Sequence, residues 1–342
     1  MRISWPDMRT GNAIRSSALF VSLALANGGT AVALAQSEPL VLEAKIALGN
    51  VHGRIDHLAL DPGRERLFVA ELGNDSVGVL DLKKRIVIRT LSGFQEPQGI
   101  AYEPSTDTVY VASAGDGSVH VLRAADLASV GTINLGADAD NVRIDRSAQR
   151  VLVGYGSGAL AVIDPVSRQK IVDIPLKAHP ESFQLESTGP RIFVNVPDAR
   201  QIAIVDRTTH RQTATWSTQR LRENFPLAID EAHDRVLAAF RDPARLGVFD
   251  IADGAMLSTP DSCADADDVF VDAKRSLVYV SCGDGFIDVF SERNGGYART
   301  AHLATAAGAR TALFAPTLDR LLLAVRATAH ESAAIWIFRP NP

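Results

Sequence analysis

Short apolar segments separated by polar turns recur along most of this chain. The segments "RLFVAE" from Arg66, "TVYVAS" from Thr108, "RVLVGY" from Arg150 and "RIFVNV" from Arg191 belong to one series. "RVLAAF" from Arg235, "LVYVSC" from Leu277 and "RLLLAV" from Arg320 continue it. Each is rich in β-branched or aromatic residues, as a strand buried on both faces requires. Ahead of nearly all of them lies a shorter strand closed by a polar turn, as in "LALDPGRE", "IAYEPSTD", "VRIDRSAQ" and "VFVDAKRS". Behind each follows a third strand, "SVGVLDL", "SVHVLRA", "ALAVIDP", "QIAIVDR", "RLGVFDI", "FIDVFSE" or "AAIWIFR".

The unit repeats every ~42 residues, a period typical of solenoids and propellers. Weaker fourth strands such as "VIRTLS", "TINLG" and "KIVDIPL" complete the unit, and four strands at this period describe a propeller blade. Seven units fit, and the last stops after its third strand. The segment "LVLEAKIAL", Leu40 to Leu48, precedes the first unit and can supply the missing strand, leaving no large sheet edge exposed. The pattern therefore predicts an all-β, seven-bladed β-propeller over residues 36–342, with blades starting near residues 51, 95, 138, 179, 222, 265 and 308.

The motifs "TVYVAS", "LVYVSC" and "RLFVAE", each followed by a Gly/Asp/Asn turn and a further strand, resemble those of the YVTN-repeat, YncE-like propellers. The resemblance spans Leu40 to Pro340. Propellers of this kind include surface-layer proteins, lactonases, streptogramin lyases and partner-binding subunits of periplasmic oxidoreductases, so the resemblance implies a fold and not one activity.

Residues 1–35 read differently. Arg2, Arg9 and Arg15 precede the apolar run "SSALFVSLALANGGTAVALA", which ends in an A-x-A site. This is the pattern of a secretory signal peptide cleaved before Gln36. An uncleaved anchor is the alternative, although Asn27 to Thr30 interrupt the run. No later stretch is apolar enough to span a bilayer. Cleavage would take the formal net charge from −5 to −7, because residues 1–35 hold three arginines and one aspartate. Together these features predict a periplasmic or secreted protein.

The residues just ahead of each inner strand align as Asp56, Gln98, Asp140, Glu181, Phe225, Asp267 and Arg310, 41 to 44 residues apart. They are expected to form a ring at one mouth of the central channel, with Asn141 and Asp268 among their immediate successors. One reading makes the acids turn caps that bond nearby backbone N–H groups. The other makes the ring a binding site, because several carboxylates in one place repel one another unless a cation, Arg310 or protonation relieves them. A hard cation such as Ca²⁺ on Asp56, Asp140, Glu181 and Asp267 suits oxygen donors. Glu71, Arg241 and Arg326 stand at hairpins expected on the same face and are secondary rim candidates. The Asp-Gly pairs in "AGDGS" and "CGDGF" are read as tight turns.

His57 and His179 each neighbour a ring carboxylate and are candidate general bases. Cys263 and Cys282 are the only cysteines. In an exported chain they favour a disulfide, and no C-x-x-C pair or haem-attachment motif accompanies them. Nucleophile elbows and phosphate loops are likewise missing from the sequence. An acidic chain with an acidic ring is a poor nucleic-acid partner. The expectation is a monomeric binding scaffold that holds a small polar ligand or a periplasmic partner protein at the mouth. The alternative is a metal-assisted enzyme of lactonase or lyase type on the same ring.

Overall fold

The computed structural model describes residues 38–342, so the expected signal peptide lies outside the described residues. The described chain forms seven four-stranded antiparallel sheets arranged as a seven-bladed β-propeller. In blade 1 the strands are Leu58–Asp61, Arg66–Glu71, Ser76–Asp81 and Ile86–Ser92, from the channel outward. The inner strands of blades 2 to 7 are Pro97–Glu103, Ala139–Asp145, Phe183–Leu185, Arg222–Asp230, Ala266–Asp272 and Ala312–Ala315. Neighbouring inner strands touch in chain order, and the first touches the last.

Burial follows position within the blade. The second strands, such as Thr108–Ser113 and Arg191–Val196, are buried nearly throughout, since each is sandwiched between two adjoining blades. The outer strand Ile86–Ser92 is largely exposed and correspondingly less apolar. The interfaces between blades are apolar. Phe68, Val77 and Val79 of blade 1 pack against Ile100, Val109 and Val111 of blade 2. Each such side chain contributes about 1.5–3 kcal/mol by leaving water.

An acidic residue ends several inner strands and caps the following turn. Asp61 accepts from the amides of Gly63 and Arg64, Glu103 from those of Ser105 and Thr106, and Asp145 from those of Ser147 and Ala148. These are turn acids, and they lie on the face opposite the ring of candidates. On the same face, Arg64 bridges blades 1 and 2 through a two-pronged contact with Asp107, at 2.8 Å for each nitrogen. Arg275 joins Asp319 of blade 7 in the same way, holding that carboxyl well below its usual range.

Closure occurs at blade 7. Leu40–Ala47 lies antiparallel to Ala334–Pro340, in a register running from Leu40 opposite Pro340 to Ala47 opposite Ala334. Ile46 and Leu48 are buried among Leu322 and Ile335 of blade 7 and Leu58, Leu67 and Leu80 of blade 1. Cys263 and Cys282 form a disulfide, with their Cα atoms 5.8 Å apart. It pins the loop leading into blade 6 to the end of the next strand. No helix among the described residues is long and apolar enough to cross a membrane. The disulfide and this observation are compatible with a periplasmic or extracellular protein.

Two outcomes are expected. Ile46→Ala should lower unfolding free energy by about 2–5 kcal/mol in urea titrations, as for other buried large-to-small changes. A loss below ~1 kcal/mol would make the closing strand peripheral to stability. Replacing both cysteines by alanine should cost about 3 kcal/mol, the loop-closure value for a bridge of sequence separation 19.

Candidate functional site

The loops leading into the inner strands turn sharply into the channel. Glu96, Asp138 and Asp265 each stand two residues before a ring position and adopt left-handed backbone, with φ of 50°, 39° and 57°. The short polar side chain of Asp tolerates this region better than branched ones, which suits Asp138 and Asp265. Gly99 lets two of these loops approach, because a Cβ there would overlap the Asp140 carbonyl.

The result is a polar cavity of about 250 Å³ at one mouth of the channel. Gln98, Asp140, Glu181, Phe225, Asp267 and Arg310 line it, joined by Arg54, Asp138, His179 and Arg241. Asp56 sits at the floor, where a constriction of about 20 Å³ also involves His57, Asn141 and Ser182. The channel widens again below to about 260 Å³, lined by His57, Arg143 and Asp268 among apolar side chains of the inner strands.

The carboxylates of the ring meet different fates. Asp267 is clamped. Arg241 donates to it, and the Arg310 Nε lies 3.1 Å from its other oxygen. Arg310 also donates to Asp265 at 2.8 Å. The Arg241 guanidinium lies over the Phe225 ring, 4.0 Å from its centroid, a geometry that favours the cation. Phe225 itself is held by a buried amide pair. Asn195 Nδ2 donates to the carbonyls of Phe225 and Pro226, while Asn224 donates to Asn195 Oδ1. Asp56 forms an ion pair with Arg54 at 2.7 Å. Burial still pushes the Asp56 carboxyl upward, against the pull of His57 and Arg54.

Asp140 and Glu181 have no arginine contact of this kind. They share their side of the mouth with His179, and one donor atom from each of the three falls within 4.8 Å of the others. The His179 Nδ1–H donates to the Gly156 carbonyl at 2.6 Å, which fixes the tautomer and leaves Nε2 facing Asp140 at 3.9 Å. The Asp140 Oδ1 atom is buried without a hydrogen-bond partner. Burial, reinforced by Asp140, pushes Glu181 up to about 8. For His179 burial works the other way, but Asp140, the Gly156 carbonyl and Asp138 outweigh it and raise the imidazole to about 9.

Below the constriction, His57 lies between Asp56 at 3.8 Å and Asp268 at 4.0 Å. Burial opposes its charge, yet the two carboxylates raise it above its usual value. Asp268 accepts from the Ala312 amide at 2.8 Å, tying blade 6 to blade 7, and burial pushes it to about 7.

Several candidates stand elsewhere than the sequence suggests. Glu71 is not on the rim. It is fully buried inside blade 1, where Ser76 donates to it at 2.6 Å, because its alternation in the strand turns it inward. The proposed four-carboxylate cation site does not assemble as one group, since Asp56 and Asp267 are occupied by arginines. Arg326 stands close above the mouth against Gly308 but does not line the cavity wall. Asn141 lies at the constriction and Asp268 below it. Arg54, Asp138, Asp265 and the Asn195–Asn224 pair were not apparent from the ring register. A signal for the first three was present: each charge lies two residues before a ring acid.

The family model described as Arylesterase matches residues 82–165, from the outer strand of blade 1 through the third strand of blade 3. The matched segment contains Gln98, Asp140 and Asn141 but neither His179 nor Glu181. No curated protein matches the chain in sequence. Among solved structures, a chain of the Mitotic Checkpoint Complex is similar with a TM-score of 0.75 at 13% identity, over 96% of this chain and 98% of that one. A chain of Kuenenia stuttgartiensis hydrazine synthase is similar with a TM-score of 0.64 at 14% identity, over 83% of this chain and 94% of that one. Likeness at such identities concerns the fold alone.

The shifts of Glu181 and His179 carry a sign. Both groups hold a proton more tightly folded than unfolded, so the stability they contribute is complete at acid pH. It is lost as pH rises through about 8 for Glu181 and about 9 for His179. Glu181→Gln should therefore gain melting temperature relative to wild type progressively between pH 5 and pH 9. Parallel melting curves across that range would mean that no proton is held at Glu181.

Proposed function

We propose that this chain is an exported propeller of the YVTN type that binds a small polar ligand, or a charged segment of a periplasmic partner protein, at the channel mouth. The observation that carries this reading is the surplus of polar capacity there. Asp140 Oδ1, Asn141 Oδ1 and the Nε atoms of Arg54 and Arg310 are buried and unpartnered in a cavity on a rigid, closed scaffold. Buried polar atoms are normally satisfied, so several unpartnered ones clustered beside one polar cavity support a place where a bound molecule completes the hydrogen bonding. The ring needs no second copy to close its sheet edges, which supports a monomer. Mixed charge with an acidic excess supports small molecules and proteins over nucleic acid.

A second reading rests on the Asp140–His179–Glu181 cluster. The match to the Arylesterase model over blades 1 to 3 adds weight to a metal-assisted hydrolase of lactonase type. Two carboxylates and the His179 Nε2, once it gives up its proton, fit a divalent cation, and the nitrogen favours Zn²⁺ or Mn²⁺ over Ca²⁺, which prefers oxygen alone. When bound, such a cation would supply Lewis-acid polarisation of a substrate carbonyl. His179 would be committed to holding it through Nε2, with Gly156 orienting the ring from the other side. His57 is then the remaining base candidate, screened from the mouth by the constriction.

A thermal-shift screen of small charged metabolites, repeated with Gln98→Ala and Arg241→Gln, tests the first reading. Hits whose shift disappears in both variants are expected, and a screen in which the variants behave as wild type would remove the mouth from consideration. Calorimetry with Zn²⁺, Mn²⁺ and Ca²⁺ decides the second. Stoichiometric binding that is lost in Asp140→Asn but kept in Asp267→Asn would place the enzyme reading first.

A further inference from the structure

The charges at the mouth are segregated as well as abundant. On one side stand Arg54 ahead of blade 1, Arg310 ahead of blade 7 and Arg326 just past the second strand of blade 7, the first two already paired with Asp56, Asp265 and Asp267. On the other stand Asp138, Asp140, His179 and Glu181, from the loops leading into blades 3 and 4. In a ring of seven, blade 7 faces the junction of blades 3 and 4. The two groups therefore oppose each other across the cavity.

Each group is incompletely neutralised from within. The Nε atoms of Arg54, Arg310 and Arg326 are all buried without a hydrogen-bond acceptor. Arg54 and Arg310 each have a carboxylate within ion-pair distance, but these Nε–H groups are not directed onto it. Arg326 makes no ion pair or side-chain hydrogen bond among the described residues. Burial, and then the like charges of Arg310 and Arg54, push its guanidinium below the usual range. Asp56, Asp265 and Asp267 relieve Arg54 and Arg310, so the guanidinium left without an acid partner among the described residues is that of Arg326. Across the cavity Asp138 and Asp140 face His179, and the Asp140 Oδ1 atom is buried and unpartnered beside Glu181.

We propose that the ligand of this mouth is a small zwitterion of amino-acid type. Its carboxylate sits against Arg54 and Arg310, with Arg326 above the cavity completing the cationic side, and its ammonium group sits at Asp140 and Glu181. A carboxylate accepts several arginine N–H groups in one plane, and an ammonium group offers three donors to the opposing carboxylates. Phe225, held under Arg241, gives the wall between the poles an apolar patch for a short side chain or methylene spacer. The cavity of about 250 Å³ has room for one such molecule. This assignment rests on the mouth being a ligand site and narrows it to one class.

The test is calorimetry on the full chain treated with EDTA, so that metal binding at the acidic side plays no part. The probes are glycine, β-alanine, 4-aminobutyrate and 6-aminohexanoate, each beside the acid and the amine that lack one charge. One length of zwitterion should bind, with each single-charge analogue at least about tenfold weaker, which corresponds to ~1.4 kcal/mol. Arg326→Gln should weaken that zwitterion by about tenfold while leaving the matching amine unchanged, and Asp140→Asn should do the converse. Arg54→Gln provides a second variant at the cationic side should Arg326→Gln fold poorly. An acid or an amine that binds as tightly as the zwitterion would overturn the assignment and leave the mouth as a ligand site. Silence from every probe would overturn it too. If metabolite hits sensitive to Gln98→Ala are still found, the mouth reading survives. If none are found, both readings fall together.

Discussion

The structure depends on one pairing, that of Leu40–Ala47 with Ala334–Pro340. Without it, blade 7 would offer the unpaired edge of Ala334–Pro340 to any passing strand. The pairing does more than cover an edge. Ile46 and Leu48 fill the wedge between blades 7 and 1, so closing the sheet and sealing the last blade interface are the same event. The contact joins segments some three hundred residues apart, with Asn341 Nδ2 bonded to the Glu38 carbonyl across a separation of 303. Its entropic cost is therefore among the largest in the molecule, though loop entropy grows slowly with length.

Closure also explains how so many charges coexist at one mouth. In an open arc, the loops leading into the inner strands could splay and let water solvate each carboxylate separately. A closed ring forbids this and brings ring residues of all seven blades together. Protein groups then do part of water's work. Arg241 and Arg310 hold Asp267, and Arg54 holds Asp56. Protons do another part, since burial keeps Glu181 and Asp268 partly protonated near neutrality. Neither reaches the Arg326 Nε and Asp140 Oδ1 atoms, which have no partner among the described residues.

The fold was legible in the sequence because it is periodic. Seven apolar second strands, each followed by a turn, announce seven blades, and one orphan strand before the first announces closure. The ring positions were legible for the same reason, since each recurs at the blade period. What the period cannot convey is pairing across the channel. The partner of Asp267 is Arg241 from the neighbouring blade, and nothing along the chain marks that relation. Glu71 was misplaced because a hairpin position says which face a loop lies on, not whether a given side chain turns into the blade. The Asn195–Asn224 pair was invisible because two asparagines gain meaning only when burial forces them to bond.

The adjacency of the segments at residues 38–47 and 334–341 has a topological corollary. Angular order around the axis is fixed by blade contacts, whereas the place where the covalent chain is interrupted is arbitrary. A circular permutant joined across this seam and opened in another interblade loop would present the same mouth residues at the same azimuths. The mouth thus belongs to the ring as a geometric object, and evolution is free to shift the break point without redrawing it.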